Sequence, residues 1–145
     1  MGHKQEQAVR EFLDAWGDET RRPDVEKIVS MFAPDGYWEL YVPHGPVIRG
    51  RESLRREIQR QLGYTEWARC GIVRMWSDER SVVTERLDHF GRNGRTVRHA
   101  LMAVFDLDDQ TLITAWREYF DLHDLSRQTG TDPARLCGLE QPVEA

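Results

Sequence analysis

A chain of 145 residues, 39% hydrophobic and 31% charged, is the right size for one domain with a substantial core or an internal pocket. A formal net charge of −5 and a pI near 5.5, with the basic residues scattered, argue against nucleic acid or an anionic membrane as the partner. Cys70 and Cys137 are too few for a disulfide scaffold or a zinc cluster, no stretch approaches the roughly 18 apolar residues of a membrane span, and the first residues lack the apolar core of a signal peptide, so a cytoplasmic location with reduced thiols is expected.

In chain order, Val9, Phe12, Leu13 and Trp16 recur at the spacing of an amphipathic helix over Gln7 to Trp16. Asp24 follows Arg22-Pro23 and is placed to cap a second short helix that buries Val25, Ile28, Val29 and Phe32. Pro34-Asp35-Gly36 signals a turn, and Gly36 to Val42 reads as a strand with Trp38 and Leu40 on one face. A loop from Pro43 to Gly50 leads to a charged third helix, Arg51 to Leu62. Thr65 to Trp76 alternates loosely as one strand, and Ser77 to Arg80 breaks it. Ser81 to Phe90 and Arg95 to Leu107 form a hairpin, because Asn93-Gly94 supplies the residues a tight turn favours. Asp108-Asp109-Gln110 turns the chain into a last strand, Thr111 to Leu122, and the polar tail beyond His123 holds at most a helical turn at Pro133 to Leu136.

Helix, helix, strand, helix and then four strands on short turns is an α+β order, read as one domain over residues 1–145 with its core at about 7–125 and a polar tail at 126–145. A strongly curved sheet wrapped over the helices would leave a cavity open at one end.

Two stretches carry the chemistry: Thr84-Glu85-Arg86-Leu87-Asp88 and Trp116-Arg117-Glu118-Tyr119-Phe120-Asp121. Strand side chains two apart share a face, so Arg86 projects with Asp88, and Glu118 projects with Trp116 and Phe120. An Arg between two carboxylates in an apolar cavity must be paired, and it divides the carboxyls into one protonated and one ionised group. The plainer reading of Arg86 and Asp88 is an ion pair bracing the sheet, and of Trp38, Trp67 and Phe120 a core. His99 is more often a satisfied core histidine than a catalyst. Glu52, Arg55 and Arg56 fit a solvated helix face. His44 flanks the expected pocket mouth. His3, His89 and His123 have no metal-site spacing, and no phosphate loop or Ser-His-Asp order is present.

With Phe32-Ala33-Pro34-Asp35, Arg49-Gly50-Arg51-Glu52 and Ala103-Val104-Phe105, these two stretches resemble the limonene-1,2-epoxide hydrolase family of the nuclear transport factor 2-like superfamily, over about Val9 to Leu122. The resemblance implies a cone-shaped curved mixed sheet over three to four helices, and a homodimer. It implies one-step addition of water to a small cyclic or aromatic epoxide, with no cofactor, no metal and no covalent intermediate. Asp88 resembles the general acid that protonates the epoxide oxygen, Glu118 stands where the family has the aspartate that activates water, and Arg86 resembles the arginine bridging them. Trp38, Leu40, Trp67, Phe90, His99, Leu101 and Phe120 fall at or near substrate-binding positions. The family's water is also held by a tyrosine and an asparagine, and Trp38 and Leu40 occupy those positions here: Leu40 cannot hydrogen-bond, and Trp38 offers only an indole N–H. The same superfamily includes isomerases, dehydratases and cyclases that move protons with a carboxylate and a His or Tyr, so proton transfer or intramolecular epoxide opening is the second expectation, and a binding domain with a vestigial pocket the third.

Overall fold

The computed structural model describes residues 2–132. Among them the elements run α1 (His3–Asp14), α2 (Val25–Ser30), β1 (Phe32–Glu39), β2 (Val47–Arg49), α3 (Arg51–Leu62), β3 (Trp67–Arg69), β4 (Ile72–Ser77), β5 (Ser81–Arg92), β6 (Arg95–Leu107), β7 (Ile113–Phe120) and α4 (Leu122–Thr129). The helical spacing expected for α1 buries Val9, Phe12 and Leu13, and Asp24 caps α2 by accepting from the Lys27 amide at 3.1 Å. Asn93 and Gly94 both take positive φ, 53° and 72°, as a two-residue turn between twisted strands requires.

The strands form one mixed sheet in the order β2-β1-β7-β6-β5-β3, with β4 also pairing β5. β1 runs parallel to β7 and the other pairings are antiparallel. The sheet curls into a half-barrel around α1, α2 and α3, giving the α+β cone expected from the sequence. Phe12 of α1 is the centre of the core: its ring makes edge contacts with Trp16, Phe32, Phe105 and Trp116 at centroid distances of 6.3, 5.5, 5.8 and 5.0 Å.

Several boundaries differ from the sequence reading, each for a physical reason. Phe32 belongs to β1 rather than α2, because its backbone pairs with Ile113 of β7. Pro34-Asp35-Gly36 lies within β1, where the register shifts between Phe32 and Tyr37, instead of ending an element. The 43–50 loop contains β2, which folds back on β1. The expected strand from Thr65 to Trp76 is broken at Cys70-Gly71 into β3 and β4, both paired to β5. Helix α4 forms in what read as polar tail, capped by Asp121 and closed by Gly130 in the left-handed conformation. The helical turn expected at 133–136, and Cys137, lie outside the described residues. No helix among the described residues is long and apolar enough to cross a membrane.

Candidate active site

Pairing across the sheet sorts the inward-facing residues into rows. The first is Val82, Phe105, Trp116 and Trp38, in which Trp116 stacks on Phe105 at 5.7 Å and on Trp38 at 4.3 Å. The next are Thr84-Ala103-Glu118, then Arg86-Leu101-Phe120, then Asp88 opposite His99. The sequence therefore changes from an aromatic floor to a polar band over two residues of each strand.

Arg86 ties the band together and is only 3% exposed. Its Nε and Nη2 donate to the two oxygens of Asp88 at 3.1 and 2.9 Å, and Nη2 also donates to Glu118 Oε2 at 3.1 Å. Nη1 reaches Thr84 Oγ1 at 3.4 Å. The Gly71 amide donates to Asp88 Oδ1 at 3.2 Å, and the Trp38 indole N–H donates to Glu118 Oε1 at 3.0 Å. Both oxygens of each carboxyl are therefore held in direction as well as distance.

Burial, aided by the negative charge of Asp88 and opposed by Arg86 and Trp38, pushes the Glu118 carboxyl up to about 7. Pairing with Arg86 favours the ionised form of Glu118, but desolvation outweighs it. Burial opposes the charge on Arg86, but Asp88 and Glu118 more than compensate and its proton is held more tightly than usual. His99 is depressed to about 4 by burial, so its imidazole is neutral at pH 7. Burial, followed by the charge of Asp88, pushes the Cys70 thiol well up, which keeps it out of the nucleophilic thiolate form.

These groups line a cavity of about 160 Å³. Of the residues singled out in the sequence, Asp88, Arg86, Glu118, Trp38, Leu40, Phe90, His99 and Phe120 line it. Trp67, Leu101 and His44 do not. Trp67 pairs with Gly91 on β5, which turns it to the other face, and Ala68, opposite Phe90, reaches the cavity together with Arg69 at the end of β3. Leu101 is buried between Arg86 and Phe120 in its row, and those two neighbours reach the cavity in its place. Reading the sequence missed Tyr64, Cys70 and Arg92 as lining residues. Cys70 sits at the unrecognised strand break, while Arg92 has the parity of Arg86, Asp88 and Phe90 and was readable had β5 been continued to the turn. Among the described residues, no group of three or more His, Cys, Asp or Glu is arranged to hold a metal ion.

Residues 9–116 match the SnoaL-like domain. The chain is 31% identical over 120 residues to epoxide hydrolase EphG of Mycobacterium tuberculosis, covering 81% of this chain and 74% of that protein. It superposes on the solved structure of an LEH-like epoxide hydrolase from M. tuberculosis with a TM-score of 0.74 at 27% identity, over 88% of this chain and 90% of that one. A structure from Xanthomonas campestris pv. campestris, described as a putative polyketide cyclase, matches with a TM-score of 0.74 at 20% identity, over 87% and 96% of the two chains, which shows a common fold. The chain belongs to the SnoaL-like domain family, among its relatives of the limonene-1,2-epoxide hydrolase type.

Proposed function

We propose that this chain opens an epoxide by paired acid and base catalysis, with no cofactor. The observation that carries the reading is the single guanidinium of Arg86 bonded to both Asp88 and Glu118 in an aromatic cavity. Two buried carboxylates beside one arginine leave a net negative charge, and one proton shared by the pair removes it. The productive arrangement carries that proton on Asp88.

Water attacks one epoxide carbon while its proton passes to Glu118, and the carbon–oxygen bond breaks as Asp88 delivers its proton to the departing oxygen. The product is a vicinal diol. Transfer of a proton from Glu118 back to Asp88 restores the productive arrangement. Arg86 holds the two carboxyls at a fixed separation throughout and compensates the charge that moves between them.

The test is turnover of a panel of cyclic and aromatic epoxides in heavy-oxygen water, with Asp88→Asn alongside. Labelled diol from wild type, and a loss of about 10²–10⁴-fold in the variant, is expected. Comparable rates for Asp88→Asn would sink the assignment.

A second reading rests on Leu40, which lines the cavity but presents no hydrogen-bonding side-chain atom for a water. A hydroxyl on the substrate itself would then replace water, giving a cyclic ether with the same proton movements. The structural neighbour SalBIII, described as an epoxide hydrolase/cyclase-like enzyme of pyran ring formation, has this fold with a TM-score of 0.71 at 20% identity. Product without label from solvent would select this reading.

A further inference from the structure

Beyond the reacting pair, the polarity of the cavity changes again. Arg86, Asp88, Phe90 and Arg92 alternate along β5 on one face, and all four line the cavity. Four residues at ~3.3 Å each put the Cα of Arg92 roughly 13 Å beyond that of Asp88, at the hairpin end of the strand. Phe90 lies between them along the strand, and the edge-on rings of His99, opposite Asp88, and Phe120, in the row of Arg86, extend the aromatic wall, their centroids 4.6 Å apart. The cavity is thus polar at two separated places with an aromatic stretch between.

The charges at those two places are compensated differently. Arg86 is bonded to both inner carboxyls, and Arg69, which also lines the cavity, pairs with Glu19. Arg92 is held instead by a hydroxyl and a ring. Its Nη2 donates to Thr131 Oγ1 at 3.0 Å, and its guanidinium lies over the Tyr64 ring at 4.7 Å. Stacking on Tyr64 fixes the plane of the guanidinium, and among the described residues only Nη2 is hydrogen-bonded, the presentation that suits a two-pronged bond to a carboxylate. A single guanidinium beside an aromatic wall fits a carboxylate better than a phosphate, which calls for several donors.

We infer that Arg92 binds a carboxylate carried by the substrate, so that the site takes epoxides whose ring and acid group are separated by an apolar spacer. This rests on the epoxide-opening reading for what happens at Asp88 and Glu118, but not for the recognition of the acid.

The test separates the two. Calorimetric titration at neutral pH compares phenylhexanoate with its uncharged counterpart phenylhexanamide, neither of which contains an epoxide. Wild type is expected to bind the carboxylate at least about tenfold more tightly, with the advantage shrinking as salt is added. Arg92→Gln is expected to erase the preference while leaving amide binding as it was, which also reports an intact pocket, and Arg92→Lys to retain part of it. Equal binding of acid and amide, no binding of the acid, or a preference that survives Arg92→Gln overturns the inference. A carboxylate preference in a protein that opens no epoxide would leave the Arg92 assignment standing and remove the chemistry.

Discussion

Glu118 is the residue on which the proposed chemistry turns, because its carboxyl changes charge near neutral pH. Its carboxyl loses the pair's proton at about 7, beside an Asp88 whose negative charge helps to raise it. The active arrangement needs that one proton, so activity is expected to fall as pH rises through about 7, when both carboxyls become ionised and no acid remains. A pH profile of kcat/KM on any epoxide that turns over checks this, and a rate that climbs steadily through that range would assign the proton differently. Parity along two strands made Arg86, Asp88 and Glu118 legible in the sequence. The proton balance between them was not, because desolvation depends on the rings stacked around Glu118, and no sequence spacing reports that.

Strands β3, β4 and β5 show how the ladder supports the site. Gly71 stands at the break between β3 and β4, accepts from the Leu87 amide at 2.8 Å and donates to Asp88. A Cβ at this position would meet the Leu87 carbonyl oxygen at 2.5 Å, a backbone atom that cannot rotate away. Gly71→Ala is therefore expected to push the start of β4 off β5, costing about 1–3 kcal/mol of stability in urea titration. It should also lower kcat more than it raises KM, since the Asp88 bond is displaced. An unchanged Asp88-dependent rate in this variant would show that the amide has no part in positioning. The hairpin of β5 and β6 was readable from Asn93-Gly94, and α2 from Asp24. Helix α4 had comparable signals in Asp121 and Gly130, but its short polar sequence hid the buried Leu122 and Leu125. The break at Cys70-Gly71 carried no strong turn pair, and Trp67, placed near the pocket by the family resemblance, faces the other way because it pairs with Gly91.

At the scale of the whole molecule, core and site are one structure. Trp16, Trp38 and Trp116 belong to the hydrophobic core and also line the cavity, with Phe12 of α1 wedged among Trp16, Trp116, Phe32 and Phe105. Phe12→Ala is expected to cost about 3–5 kcal/mol by urea unfolding, since the rings around it cannot all close on the gap. Relaxation of Trp116 into that gap would also shift Trp38 and weaken its bond to Glu118, so the variant should lose activity even where it remains folded. An active variant of reduced stability would separate the two roles. Most of the elements followed from the sequence because helices and alternating strands announce themselves locally, while the cone was implied by the family resemblance. The shape of the cavity did not, because it depends on which rings stack across strands far apart in the chain. That stacking has a consequence of its own. The Trp38 indole touches Glu118 at one end and lies flat on Trp116 at the other. Ultraviolet emission from the indole pair is therefore expected to change with the charge on one carboxyl, which would give the protein its own optical indicator of the protonation state on which the proposed chemistry depends.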